Sequence, residues 1–270
     1  MKLLIASPIK QKPEILEEFL FFISRVNKEN LEIDYYFIDD NDNVKSKKLL
    51  KTFYKRNRSN VILKQGASSD TYICDDYTHR WSDALIWKVA GYKNKMIEYA
   101  KENRYDYIFF IDSDLLIHPD TIQHLIATEK DIISEIFWTK WTPDSLELPQ
   151  VWQTDQYDLF PAHLKEADEK TKQLESLRFV KQLKKPGVYK VGGLGACTLI
   201  SSNALKKGVS FERIYNLSFW GEDRHFCVRA AALGFELFVD THYPALHLYR
   251  SEDLQRVNAY KEECFGKENI

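Results

Sequence analysis

The sequence has little that would fix a fold through covalent links or biased composition. Its four cysteines, Cys74, Cys197, Cys227 and Cys264, stand far apart without a CxxC pair. That spacing excludes a zinc-finger pattern and a small disulfide scaffold, and it leads us to expect a reduced, cytoplasmic chain. Ten glycines and eight prolines in 270 residues are too few for a collagen-like or linker-rich architecture. Neither sign of charge dominates: 38 Lys and Arg against 40 Asp and Glu give a formal charge of −2. No basic excess is therefore available to neutralise a nucleic-acid backbone, and a nucleic-acid partner is not expected. Apolar runs stop at about five or six residues, against the ~20 a transmembrane helix requires, so no transmembrane segment is expected and only peripheral membrane contact stays open. The apolar start, Leu3 to Ala6, is too short for a signal-peptide core and runs into Ile9-Lys10-Gln11-Lys12-Pro13. It reads as a strand followed by a turn.

What is present suits a globular core: 44% hydrophobic and 14% aromatic residues exclude a disordered chain. The first half alternates two periodicities. Lys2 to Ala6 reads as a buried strand broken by Ser7-Pro8. Pro13 opens a helix carrying Ile15, Leu16, Phe19, Phe22, Ile23 and Val26 at helical spacing. Ile33 to Ile38 and Val61 to Leu63 read as strands around a basic helix from Val44 to Lys55. A long helix from Asp83 to Lys101 leads to the apolar strand Tyr107 to Ile111; Pro119 opens a helix to Ile126, and Asp131 to Phe137 returns as a strand. Such alternation predicts an α/β fold with a mostly parallel sheet flanked by helices. Thr139 to Gln156 reads as a loop region, and the charged stretch Pro161 to Lys185 as a solvated helix. Further on, Ala196 to Ser201 reads as a strand, Glu222 to Leu233 as a helix, Glu236 to Val239 as a strand and Leu254 onwards as a terminal helix.

Ligands of parallel sheets bind beyond the carboxyl ends of the strands. Two acidic clusters, Asp39-Asp40 and Asp112-Ser113-Asp114, fall directly after strands. Two carboxylates one residue apart repel each other, and a hard divalent cation offsets that cost while bridging to phosphate. Apolar residues on both sides, Tyr107 to Ile111 and Leu115 to Ile117, argue against a plain solvated turn. Trp220-Gly221-Glu222-Asp223 opens a helix. Acids there satisfy the helix dipole, and they also suit a general base beside an aromatic that stacks on a sugar. His247, within Pro244 to Tyr249, is either a packed core histidine or a further metal ligand, with His242 as competitor. Gly192-Gly193 is either a turn or a close approach to a ligand. The chain has no GxGxxG after its first strand and no GxxxxGK[ST], which disfavours a Rossmann dehydrogenase and a P-loop NTPase.

In this order the pieces resemble the GT-A-fold glycosyltransferases, the family 2 type in particular, over roughly residues 2 to 250. The segment Phe37 to Asp42 looks like the family's strand-end acid that contacts the nucleobase, with Asp39 and Asp40 both open for the role. Lys93-Asn94 matches the family's Arg-Asn, Asp112 to Asp114 its DxD motif, Gly192 to Ala196 its sugar-lining segment and Glu222-Asp223 its catalytic pair. The Trp-Gly-Glu-Asp form resembles the galactosyltransferase variant, in which a downstream His completes the metal site; His247 fits that role.

The resemblance implies one domain over residues 1–250, with a nucleotide-binding half to about 115, an acceptor and catalytic half beyond it, and a helical tail at 251–270. It implies transfer of a sugar from a nucleotide-diphosphate donor, UDP-sugar favoured and GDP-sugar next, to a hydroxyl on a glycan, lipid-linked or protein acceptor. Asp112, Asp114 and His247 would hold Mn²⁺ or Mg²⁺. Ser7, Pro8, Asp39, Asp40, Lys93, Asn94, Ser113, Gly192 and Gly193 would line the donor site with the two metal-binding acids. Asp223 would act as general base for an inverting displacement, Glu222 would orient the acceptor and Trp220 would stack on it. Trp138, Trp141 and Trp152 are further stacking candidates, each also a candidate for plain packing. The alternatives are retaining transfer on the same fold, a sugar nucleotidyltransferase and a non-catalytic nucleotide- or sugar-binding module.

Overall fold

The computed structural model describes residues 1–67, 73–74, 79–218 and 221–267. The apolar segment Lys2–Ile9 forms strand β1, and Pro13–Ile23 forms helix α1 with Pro13 in its first turn. Pro13 suits that place because its missing N–H would have no intrahelical partner there. Ile15, Leu16, Phe19, Phe22 and Ile23 make the buried face of α1. Next come β2 (Glu32–Asp39), α2 (Val44–Arg56), β3 (Val61–Gln65) and a short ladder of β4 (Ile73–Cys74) and β5 (His79–Arg80). The Asn43 side chain caps α2 by accepting from the N–H groups of Lys45 and Ser46, which fixes where the chain leaves the acidic turn.

The long helix α3 (Asp83–Glu102) leads into β6 (Tyr107–Phe110), β7 (Leu115–Leu116), α4 (Thr121–Ala127) and β8 (Ile132–Lys140). After β9 (Glu147–Pro149) and β10 (Val151–Trp152), the charged α5 (Glu169–Leu183) buries only Phe179 and Leu183. The chain closes with β11 (Val188–Val191), β12 (Gly193–Leu194), β13 (Thr198–Ser201), α6 (Ser202–Lys207), α7 (Glu222–Ala232), β14 (Leu237–His247) and α8 (Val257–Phe265).

The main sheet runs β11-β14-β8-β13-β6-β1-β2-β3. β3, β2, β1 and β6 are mutually parallel, β13 is antiparallel to both its neighbours, and β14 is parallel to β8. The fold is therefore the expected α/β type, a mostly parallel sheet with apolar cores on both faces.

Three sequence expectations need correction. Ser7-Pro8 does not break β1: the strand pairs with β2 through Ile9, while its pairing with β6 ends at Ala6. Pro8 thus sits where one side of the strand needs no donor. Residues 139–156 are not simply a loop, because β8 extends to Lys140 and β9 and β10 fold back beside the sheet. The last strand runs to His247, not Val239. Its register against β8 slips between Asp240 and Ala245, and this bulge interrupts the apolar alternation that sequence reading relies on.

Candidate active site

A cleft of about 590 Å³ lies beyond the carboxyl ends of β1, β2 and β6. Pro8 and Asp40 reach it from the first two strands, and Asp112, Ser113 and Asp114 from the turn after β6. Gly195, Ala196, Glu222 and Asp223 form the opposite wall, and His247 enters from the end of β14.

Pairing of β7 with β14 sets His247 opposite Leu115. The Leu248 N–H donates to the Asp114 carbonyl at 2.8 Å. His247 Nε2 thereby comes within 3.7 Å of Asp114 Oδ1, with both side chains largely buried. On the other side of the ring, Nδ1 lies 2.9 Å from Thr139 Oγ1. A proton on Nδ1, accepted by Thr139, leaves the Nε2 lone pair aimed at the acidic turn. Asp112 opens onto the cleft, yet protein surrounds it closely. That desolvation pushes its carboxyl up to about 6; Lys93 pulls it down, while Asp114 and Glu222 push it further up. Asp112 and Asp114 line the cleft with His247, and two carboxylates with an imidazole are a donor set that suits a divalent cation accepting oxygen and nitrogen.

Lys93, on α3, crosses to the opposite wall. Its Nζ lies 2.8 Å from Glu222 Oε1 and 3.1 Å from Asp223 Oδ1. Burial alone would push this ammonium down. Asp223, Glu222 and Asp112 instead hold it well above its ordinary value, so it stays charged. Asp223 is pushed up to about 7, first by desolvation, against the pull of Lys93 and with the repulsion of Glu222 and Asp112. A carboxylate of that basicity suits proton abstraction near neutrality.

Both acids occupy the first turn of α7, entered through Gly221 at φ 123°, a backbone region costly for any other residue. Behind them Arg224 is 2% exposed. Its guanidinium binds the Asp155 carboxylate at 2.9 Å and the Asp155 carbonyl, and also the Ser218 carbonyl and hydroxyl. It ties two loops to the start of α7, and nothing in the sequence distinguishes it from a surface arginine.

The other expected residues divide. Asp40 lines the cleft, its Oδ1 accepting from Tyr92 Oη at 3.2 Å and its Oδ2 paired with Lys88 at 2.7 Å. Asp39 is buried in the turn, where its Oδ1 accepts from the Asn41 N–H and side-chain amide. Ser7 is fully buried in β1 and does not reach the cleft. Asn94 faces away from it, donating to Glu212 and accepting from the Phe211 N–H. Gly192 and Gly193 press on neighbouring chain: a Cβ at Gly192 would stand 2.1 Å from the Gln153 carbonyl oxygen, and one at Gly193 2.0 Å from the Trp152 ring. Gly195 and Ala196 take the cleft-lining place instead. Trp220 lies outside the described residues.

Trp152 and Trp141 line the cleft, Trp152 with its ring centroid 4.4 Å from that of Tyr157, whereas Trp138 does not. Gln150, Tyr157 and Tyr249 also line it and escaped sequence reading. Two of them belong to the segment around β10, whose short strands carry too few residues to show a period.

The model for the N-terminal domain of glycosyltransferase family 25 matches residues 1–142. No curated protein sequence matches the chain. Among solved structures, S. aureus TarS 1-349 matches at a TM-score of 0.51 and 15% identity, over 95% of this chain and 63% of that one. A mannosyltransferase from Pyrobaculum calidifontis, PcManGT, in complex with GDP-Man and Mn²⁺, matches at 0.50 and 10% identity, over 88% and 56%. GalNAc-T7 with UDP, GalNAc and Mn²⁺ matches at 0.57 and 11% identity, over 93% and 44%. The chain thus spans less than two thirds of each of these proteins, and the likeness identifies the GT-A fold. No helix among the described residues is long and apolar enough to cross a membrane.

Proposed function

The chain belongs to the family of the glycosyltransferase family 25 N-terminal domain, where its motifs alone resembled the family 2 type, and on that premise we propose a metal-dependent, inverting transfer of a sugar from a nucleotide diphosphate to an acceptor hydroxyl. One observation carries the reading. A cation-suited corner, with His247 Nε2 at 3.7 Å from Asp114 Oδ1, and a carboxylate raised to about 7, Asp223, line the same cleft.

Asp112, Asp114 and His247 would hold Mn²⁺ or Mg²⁺, which supplies Lewis-acid stabilisation of the diphosphate leaving group. Asp40 receives the nucleobase, at the end of a strand and fixed in direction by Tyr92 and Lys88. Gly195 and Ala196 leave room for the donor sugar between the acidic turn and α7. Asp223 takes the acceptor hydroxyl's proton as its oxygen attacks the anomeric carbon opposite the leaving phosphate. Lys93 holds Asp223 and Glu222 in one orientation, with Glu222 placed to accept a hydrogen bond from the acceptor. Trp141, Trp152 and Tyr157 offer the ring faces on which an acceptor sugar stacks. UDP is the favoured donor nucleotide and GDP the next; Mn²⁺ with UDP in GalNAc-T7 and with GDP-Man in PcManGT supports trying both with this metal.

Thermal unfolding with UDP, GDP, CDP and ADP, each with and without Mn²⁺, tests the donor site. At 100 times Kd a ligand stabilises by about 2.7 kcal/mol, which is roughly 5 °C in Tm for a chain of this size. A shift with one nucleotide that requires Mn²⁺ is expected; no shift with any of them would overturn the reading. The anomeric configuration of the product, read by NMR, separates inversion from retention.

A further inference from the structure

The bulge in β14 builds a second group of metal-ligating side chains outside the cleft. Asp240 is fully buried at the start of the bulge, His242 projects from it, and His124 reaches it from the last turn of α4. His124 Nε2 lies 3.0 Å from Asp240 Oδ2, His242 Nδ1 lies 3.1 Å from the same oxygen, and the two nitrogens are 3.2 Å apart.

Three atoms so placed form a nearly equilateral triangle, which hydrogen bonding explains poorly. Two ring N–H groups directed at Asp240 Oδ2 would account for two edges, but they would leave two donor nitrogens facing each other at 3.2 Å with no acceptor between them. The edge lengths do match another object. Zinc bonded tetrahedrally at 2.0–2.1 Å separates neighbouring ligand atoms by about 3.3 Å.

A second observation points the same way. Glu135 stands directly opposite Asp240 on the neighbouring strand. Both are fully buried, so two carboxyl groups face each other in the core. Two carboxyl groups so placed repel each other whenever both are ionised, more so away from water. A cation on Asp240 offsets that repulsion.

We propose that His124, Asp240 and His242 bind a zinc ion, with water in the fourth position and Glu135 as the buried acid behind it. Two imidazoles and one carboxylate suit Zn²⁺ better than Mg²⁺ or Ca²⁺, which take oxygen. The site is separate from the cleft: Glu135 and Thr139, the β8 residues behind the two groups, are about 13 Å apart along the strand. Its effect is structural, tying α4 to the β14 bulge.

The test is Zn²⁺ titration of the full chain by calorimetry, alongside the His124→Gln/His242→Gln double variant and, separately, His247→Gln. The expected result is one tight Zn²⁺ site in the wild type, kept in His247→Gln and weakened at least tenfold in the double variant. An unchanged tight site in the double variant, or its loss only in His247→Gln, would overturn the proposal. Should the double variant fail to fold, histidine carbethoxylation of the wild type, mapped by mass spectrometry, decides the matter. Zn²⁺ should protect His124 and His242 and leave the exposed His163 reactive; equal reactivity of all three with and without Zn²⁺ would overturn it.

Discussion

Lys93 Nζ stands between Glu222 Oε1, at 2.8 Å, and Asp223 Oδ1, at 3.1 Å, with its side chain 4% exposed. One buried cation thus holds two neighbouring acids at the mouth of α7. Lys93→Met leaves both carboxylates facing each other without it. Breaking a buried ion pair on one side costs about 3–5 kcal/mol, so urea unfolding should show a loss of that order. The same change removes the group that favours ionised Asp223, so the acid limb of the pH–rate profile should move to higher pH. A variant with wild-type stability and an unmoved profile would mean that the lysine is not electrostatically coupled to these acids.

Asp223→Asn keeps the shape and removes the base. A positioned general base contributes about 10²–10⁴ in rate, so kcat should fall within that range while nucleotide affinity, measured by calorimetry with Mn²⁺, stays within a few-fold of wild type. Near-normal turnover would remove Asp223 from the role of base.

The sign of the pH dependence follows from the same residue. Asp223 is raised to about 7, so below pH 7 it takes up a proton and the base is lost; turnover should fall tenfold per pH unit on the acid side. Asp112 contributes to that rise. A cation on Asp112 and Asp114 cancels its repulsion, so increasing Mn²⁺ should shift the acid limb to lower pH. A limb that stays fixed as Mn²⁺ is varied, in pH–rate profiles at saturating donor, would separate Asp223 from the metal corner.

These groups were unevenly legible in the sequence. Asp112 to Asp114 and Glu222-Asp223 stand out because each interrupts or opens an apolar segment, and all five residues line the cleft. His247 was legible only as an alternative, since an imidazole in an apolar run is equally at home in a core; pairing of β7 with β14 is the long-range fact that brings it to Asp114. Asp39 and Asp40 are adjacent and chemically identical, and only the alternation of strand faces sends one into the turn and the other into the cleft. The resemblance implies a donor-site role for Lys93, but Lys93 does not line the cleft, and its ion pairs join positions 129 and 130 residues apart, a separation no local pattern reports. The parallel half of the sheet was readable from its alternation. The bulged β14 was not, because Asp240, His242 and Pro244 interrupt its apolar period.

Thr139 contacts the ring nitrogen of His247 remote from Asp114. Removing such an outer partner typically costs 10–100-fold in metal affinity. Thr139→Val should therefore raise the Mn²⁺ concentration for half-maximal activity by about that factor, while Thr139→Ser restores it. Equal Mn²⁺ requirements in wild type and Thr139→Val would show that the contact does not orient the imidazole.

The adjacent glycines carry a structural prediction that separates two causes. A Cβ at Gly192 meets the Gln153 carbonyl oxygen at 2.1 Å, which is backbone held by β10 and β12; a Cβ at Gly193 meets the Trp152 ring at 2.0 Å, which is a side chain. Both alanine variants should be destabilised by overpacking, by about 1–3 kcal/mol. The ring atoms concerned, Cε2, Nε1 and Cζ2, include parts of the indole that phenylalanine lacks. Trp152→Phe should therefore recover part of the loss in Gly193→Ala and none of it in Gly192→Ala, as a double-mutant cycle in urea would reveal. Equal recovery in both, or in neither, would mean that the two glycines answer to a common constraint and not to these separate neighbours.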